Sequence, residues 1–367
     1  MNEKKHIRFV YNPFSGVGRK ALIPKWIDKL IDKDMFEVEI CRVNHEGHAY
    51  ELAREAAEKG MDIVCAIGGD GTVNGIASAL RNTDTALAII PCGSGNGLAR
   101  HLHIPMDWKK AIMLINECNV QHMDYGVVNL KPFFCTCGVG FDAFISKKFS
   151  ETRVRGPLAY VEKMLVNGLA FKPESYEIEL RGVQGEFKGS SKGVEGTNEG
   201  ELHGVQGAGC RVQVQGTNES DIKTKAFLVS VANASQYGNN AYIAPQASVY
   251  DGMLDVTIIK PFLPTEAAQM AIQLFSGTID RNSRIETFKC KSVSIHRKEA
   301  GVIHYDGDPV DTLADVEIAV VPKGLWCVCP KDEGVQDITQ NIQSEIIDQF
   351  NVLSRNLKNT IQLWKRV

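Results

Sequence analysis

The chain has 367 residues, 44% of them hydrophobic and 23% charged, a globular composition that excludes a wholly disordered or fibrous protein. Its length predicts two domains. Lys and Arg number 41 against 44 Asp and Glu, a net charge of −3, so there is no global basic field for non-specific nucleic-acid binding, and nucleic acid is not an expected partner.

The first third alternates strand and helix signals. His6 to Tyr11 reads as a strand ending at Asn12-Pro13, and a helix is expected over 20–32. Phe36 to Val43 alternates as a strand, and 46–59 has helical period. Asp62 to Ile67 is an apolar run before Gly68-Gly69; Thr72 to Leu80 reads as helix and Ala86 to Ile90 as strand. Such β-α-β units predict a parallel sheet covered by helices, with ligands beyond the carboxyl ends of its strands. From about residue 129 strand-like runs dominate (132–137, 174–180, 225–232, 253–260, 291–296, 302–305 and 314–321), interrupted by a helical stretch at 157–170. They predict a second, mostly antiparallel domain.

Residues 182–216 hold 10 of the 33 glycines and nearly repeat themselves: Glu195-Gly-Thr-Asn-Glu and Gln215-Gly-Thr-Asn-Glu, with Gly-Val-Gln-Gly at 182 and 204. With too few apolar groups to offset ordering entropy, 182–222 reads as a low-complexity insertion. Residues 335–364 have helical periodicity, which suggests helices packed on the body or on a second copy, a possible homodimer. The ten cysteines include no CxxC pair and read as reduced thiols of a cytoplasmic protein. The N-terminus lacks the apolar region of a signal peptide, and no run approaches 18 apolar residues, so no membrane span is expected.

Chemistry concentrates in three loops. Gly68-Gly69-Asp70-Gly71-Thr72 joins a buried strand to a helix; glycines let backbone N–H groups approach phosphate, and Thr72 can cap the helix. Asp70 fits such a loop if a metal ion lies between it and phosphate, or if it accepts a proton. Pro91-Cys92-Gly93-Ser94-Gly95-Asn96-Gly97 and Asn12-Pro13-Phe14-Ser15-Gly16 also follow strands, so the three converge on one edge. Neither a Walker A nor a G-x-G-x-x-G pattern is present.

These loops resemble those of the diacylglycerol kinase catalytic superfamily, which includes bacterial soluble lipid kinases and sphingosine kinases. Gly138-Val-Gly-Phe-Asp142, Gly156-Pro-Leu-Ala-Tyr160, Asn233-Ala-Ser-Gln-Tyr-Gly238, Ala244-Pro245, Asp251-Gly-Met-Leu-Asp255 and Asp306-Gly307-Asp308 extend the resemblance from about 5 to 330. It implies a three-layer α/β nucleotide domain like that of phosphofructokinase and NAD kinase (1–128 plus about 321–367, with the helical tail). A β-sandwich lipid-substrate domain (129–320) would carry the insertion.

The resemblance further implies ATP phosphates at Gly68, Gly69, Gly71, Thr72, Gly93, Ser94, Gly95 and Asn96, with Asn12, Ser15, Gly16, Asn74 and Arg100 close by. Asp306 matches the family's proposed general base, and Asp70 is the rival for that role; Asp306 is preferred. A structural Mg²⁺ would be held by Asp251 and the carbonyls of Ser248 and Met253. Gly97 stands where bacterial members often have Asp, Gly75 where Glu is common, and Asp308 where Glu is usual.

The expected activity is ATP- and Mg²⁺-dependent phosphorylation of a lipid hydroxyl, of diacylglycerol or a sphingoid lipid, by a cytoplasmic protein peripheral to the membrane. Lys147, Lys148, Arg153, Arg155 and Lys163 would meet anionic head groups, and Tyr160, Met164, Leu165, Leu169 and Phe171 would line an acyl cleft. The alternatives are an NAD-kinase-like enzyme, for which Asn239-Asn240-Ala241 is a poor match, and a non-catalytic nucleotide-binding regulator. His45, His48, His101 and His103 read as surface residues and not as metal ligands.

Overall fold

The computed structural model of the chain describes residues 3–14, 22–150, 171–188, 219–263 and 265–331. Its first part runs β1 (Lys5–Tyr11), α1 (Ile23–Leu30), β2 (Phe36–Arg42), α2 (His48–Glu58), β3 (Ile63–Gly68), α3 (Asp70–Leu80), β4 (Ala86–Pro91), α4 (Gly97–His101) and α5 (Trp108–Glu117). The strands lie parallel in the order β2-β1-β3-β4. Every residue of β3 and β4 is buried, because helices cover both faces and only continuous apolar runs tolerate that. Helix α2 buries Ala49, Leu52, Ala53 and Ala56, one small-residue stripe at helical spacing.

The second part comprises β5 (Val120–Val128), β6 (Lys131–Phe133), β7 (Thr136–Gly140), α6 (Phe141–Ser150), β8 (Glu174–Arg181), β9 (Gln184–Lys188), β10 (Glu219–Ala226) and β11 (Leu228–Ala232). It continues through β12 (Leu254–Ile259), α7 (Ala267–Ser276), β13 (Ile285–Cys290), β14 (Ser292–Arg297), β15 (Gly301–Tyr305), β16 (Asp308–Thr312) and β17 (Asp315–Val328). One sheet has the order β16-β15-β7-β11-β12-β13-β9, and its pairings are antiparallel. Its inner face (Val139, Val229, Val231, Val256, Ile258) packs against Tyr176, Ile178 and Leu180 of β8, Val293 and Ile295 of β14, and Val316 and Ile318 of β17. On the opposite face α6 and α7 contribute Phe141, Ile145, Met270 and Leu274 to a cluster with Phe227, Ile243 and Ile259. The result is a parallel α/β domain followed by an antiparallel sandwich.

The two share a strand. The first part of β17, Asp315–Ala319, pairs with β14; β5 pairs with it antiparallel from Ile318 to Val328; and its end pairs parallel with β4 at Cys327↔Leu87. The register slips between Val321 and Leu325, and Lys323 takes a φ of +50° there. The carboxylate of Asp124, buried on β5, holds this bulge: Oδ1 accepts Lys323 N–H at 2.7 Å, and Oδ2 accepts Gly252 N–H at 2.7 Å.

Several expectations change. The stretch expected as insertion, 182–222, contains regular strand at both ends: β9 pairs with β13, and Glu219 to Ile222 pair with β8. Residues 189–218, the helical stretch at 157–170 and the tail at 335–364 lie outside the described residues. Helix α3 begins at Asp70 behind Gly69, with no side-chain cap, so Thr72 sits inside the first turn and does not cap it.

Candidate active site

The loops after β1, β3 and β4 meet at the carboxyl edge of the parallel sheet, as chain direction requires. Asn12 Nδ2 donates to Thr72 Oγ1 at 2.9 Å, while its Oδ1 accepts Phe14 N–H. A side chain at Gly68 would collide with Thr72, and one at Gly93 would reach 2.7 Å from Gly69 Cα, so these glycines are dictated by contact. Asn96, in the left-handed region at φ +50°, folds its own loop by bonding both Gly93 N–H and Gly93 C=O. Asp70 locks two loops together: Oδ2 accepts Asn96 N–H at 2.9 Å and Oδ1 accepts Gly97 N–H at 2.7 Å. A carboxylate offers about four acceptor positions, so two remain for a ligand.

The sandwich closes over this edge. Its 237–241 loop approaches through Gly238, at φ +109°, where an added Cβ would lie only 3.0 Å from Gly95 Cα. Asn239 N–H donates to Gly95 C=O at 3.1 Å. The same contact crowds Gly97: a Cβ there would press on Cys135 Sγ, Gly238 N and Tyr237 O at 3.3–3.4 Å, so a side chain would need these neighbours to give by a few tenths of an ångström. Arg100 bonds Gly95 C=O and Asn240 Oδ1, fastening the same junction. His101 is not the surface residue expected. Its Nδ1 accepts Ser235 N–H, and burial followed by the neighbouring His103 lowers its pKa to about 4, so it is neutral.

Between the halves lies a cleft of about 260 Å³, lined by Asp70, Asn74, Ser94 and Gly95 from one side and by Thr136, Asp142, Ser146, Tyr237, Phe275, His304 and Asp306 from the other. Asp306 and Gly307, at φ +48° and +90°, form the two-residue turn between β15 and β16. The Asp306 carboxylate turns back onto the start of β7: Oδ2 accepts Phe134 N–H at 2.7 Å, and Oδ1 accepts Cys135 and Thr136 N–H at 2.7 and 3.0 Å. One acceptor position is left on Oδ2. Burial pushes the acid up to about 6, against the pull of the three N–H groups. Burial and then Asp70 also raise Asp308.

Below, Asp142 accepts from His304 Nε2 at 3.0 Å and Tyr237 Oη at 3.3 Å, and Tyr237 Oη also lies 3.2 Å from Ser230 Oγ. His304 Nδ1 is buried with no hydrogen-bond partner.

The cleft therefore joins Asp70, Asn74, Ser94 and Gly95 with Asp306. Asn12, Gly68, Gly69, Gly71, Thr72, Gly93, Asn96 and Arg100 stand behind it in the loops. Ser15 and Gly16 lie outside the described residues, as do Arg153, Arg155, Lys163, Tyr160, Met164, Leu165 and Leu169. Phe171 packs edge-on against Phe141 and Phe227 at 5.5 and 5.4 Å. Asp251, Ser248 and Met253 sit apart from the cleft: Asp251 is engaged by Lys289 Nζ at 2.6 Å and by Met253 N–H, and Ser248 Oγ accepts Tyr250 N–H. Sequence reasoning gave no role to Asp124, Asp142 or His304. Asp142 stood in a quoted motif, Gly138-Val-Gly-Phe-Asp, directly after a strand signal, and that was the available clue.

Comparison with known proteins agrees with this architecture. The diacylglycerol kinase catalytic domain family matches residues 6–128, and the YegS C-terminal NAD kinase beta sandwich-like domain family matches residues 135–329, more than half of the chain. The chain is 26% identical over 330 residues to a diacylglycerol kinase of Mycobacterium tuberculosis (strain CDC 1551 / Oshkosh), covering 87% of this chain and 94% of that one. It is 26% identical over 343 residues to a diacylglycerol kinase of Bacillus subtilis (strain 168), covering 90% and 99%. The fold matches the crystal structure of a diacylglycerol kinase from Bacillus anthracis str. Sterne with a TM-score of 0.60 at 20% identity, over 90% of this chain and 98% of that one. With both domain families matched in order on the observed α/β and sandwich halves, this chain belongs to the diacylglycerol kinase catalytic superfamily, in the branch that carries the YegS-type sandwich.

Proposed function

We propose that this chain transfers the terminal phosphoryl group of ATP to the hydroxyl of a lipid, diacylglycerol or a sphingoid-like alcohol. One observation carries the reading: the Asp306 turn of the sandwich opens into the same cleft as Asp70 and the Gly93–Asn96 loop. Phosphoryl transfer asks chiefly for positioning, charge neutralisation and a proton acceptor. The uncapped N-terminus of α3 and the tight glycine loops offer backbone N–H groups to phosphate. Asp70 keeps two acceptor positions after bonding Asn96 and Gly97, which suits a divalent ion arriving with the nucleotide; such an ion neutralises phosphate charge. Asp306 takes the proton of the acceptor hydroxyl on its remaining Oδ2 position.

At about 260 Å³ the cleft holds the reacting ends only, so the nucleoside and the acyl chains extend outside it. A lipid surface suits the flank of α6: Asp142 and Ser146 line the cleft while Lys147 and Lys148 are exposed. No described helix is long and apolar enough to cross a membrane.

The test is phosphate transfer from labelled ATP to a panel of lipids in mixed micelles, with NAD in parallel. Label in a lipid supports the reading. Label in NAD alone, or tight ATP binding with no transfer to any acceptor, overturns it in favour of a soluble-substrate kinase or a regulatory protein.

A further inference from the structure

The loop between β11 and β12, where the family resemblance implies a structural Mg²⁺, already holds a cation of the chain's own. Asp255 on β12 pairs directly opposite Lys289 on β13, so the ladder delivers the lysine to this spot. Lys289 Nζ lies 2.6 Å from Asp251 Oδ2 and 3.1 Å from Asp255 Oδ2. Asp255 Oδ2 is buried and makes no hydrogen bond of good geometry, so the ammonium is its counter-charge. The other oxygen of Asp251 is taken by Met253 N–H at 3.1 Å. Mg²⁺ demands oxygen ligands at about 2.0–2.1 Å in near-octahedral array. Unlike the neutral N–H donors on Asp70, the Lys289 ammonium brings a full positive charge to Asp251 and Asp255, which repels a second cation from the same two carboxylates. The residues present therefore do not fit a bound ion.

We propose that the Lys289 ammonium takes the place of the divalent cation, so that this loop closes on Asp251 and Asp255 without metal. The two carboxylates remain a latent Mg²⁺ site that removal of the lysine exposes. This holds whichever acceptor the cleft serves.

The experiment uses the full chain free of nucleotide, melted in EDTA and in millimolar MgCl₂. The wild type is expected to melt at the same temperature in both. Lys289→Met keeps the apolar stem and drops the charge; it is expected to melt lower in EDTA and to recover when Mg²⁺ is added. A wild-type midpoint that rises with Mg²⁺, and loses that rise in Asp251→Asn, overturns the proposal; so does a Lys289→Met protein that Mg²⁺ does not stabilise. Should Lys289→Met fail to fold, metal analysis of the gel-filtered wild type decides. Far less than one Mg²⁺ per chain supports the proposal, and one Mg²⁺ per chain that Asp251→Asn removes refutes it.

Discussion

Replacing Asp306 by Asn separates two tasks of one carboxylate. Three backbone N–H groups donate to it, from Phe134 to Oδ2 and from Cys135 and Thr136 to Oδ1. An Asn amide keeps an oxygen for Cys135 and Thr136 but turns an NH₂ group toward Phe134 N–H. One donor is left unmet, which costs about 1–3 kcal/mol. Unfolding entropy of about 2.1 cal/mol/K per residue gives roughly 0.8 kcal/mol/K for a chain of this size, so the melting midpoint is expected to fall by about 1–4 °C. In the general-base role proposed for it, Asp306 acts on the chemical step, and kcat is expected to fall by about 10²–10⁴ with the KM for ATP nearly unchanged.

The assay is steady-state lipid phosphorylation in micelles beside a thermal melt. A folded variant that melts a few degrees lower yet keeps kcat within about tenfold of wild type shows an anchor and not a base, and passes the role to Asp70. The pH profile gives a second reading. Burial holds the Asp306 acid at about 6 against an ordinary 3.8, so wild-type kcat/KM is expected to rise with pH through about 6. For stability the sign is opposite. Between 3.8 and 6 the native carboxyl keeps a proton that the unfolded chain has released, so its contribution falls as pH rises across that window and is fully lost above 6. An acid limb near 4 contradicts the assignment.

Asp70→Asn retains one acceptor for the Asn96 and Gly97 N–H groups. It is expected to fold yet lose at least about 10²-fold in turnover; near-wild-type rates refute this. Gly93→Ala places a Cβ 2.7 Å from Gly69 Cα, backbone against backbone, so the loops must part. A loss of about 1–3 kcal/mol by urea titration is expected. Exchanging residues 190–217 for a short Gly-Ser linker is expected to leave the melt and turnover unchanged, since loop length costs only about 0.6 kcal/mol per doubling. Removing 184–219 takes away β9 and its pairing with β13, and the melting midpoint of that variant is expected to drop.

What was legible in the sequence was whatever burial had simplified. β3 and β4 are buried on every residue, and each runs into a glycine loop, so both strand and loop could be read. Strand β5 was missed because His122 and Asp124 break its apolar run; Asp124 is buried only because distant backbone N–H groups meet it, and no local pattern shows that. β13 carries two charged residues, Glu286 and Lys289, whose partners Lys260 and Asp255 come from outside the strand, so it looks like loop. The same limit applies to the site. Glycine loops announce themselves by composition, but the approach of Asp142 to His304 spans 162 residues of chain. Thr72 was misread as a cap because the helix starts two residues earlier, at Asp70; its hydroxyl instead accepts from Asn12 Nδ2, 60 residues away.

The continuity of β17 has a mechanical consequence. A kinase whose halves swing on a flexible link can open wide and shut on its substrates. Here one strand is stitched to β14 at one end and to β4 at the other, with β5 alongside from Ile318 to Val328 and Asp124 riveting the bend. The two halves form a single twisted plate, and prising them apart would tear a hydrogen-bonded ladder. A hinged opening of the halves would therefore have to bend or break this shared strand.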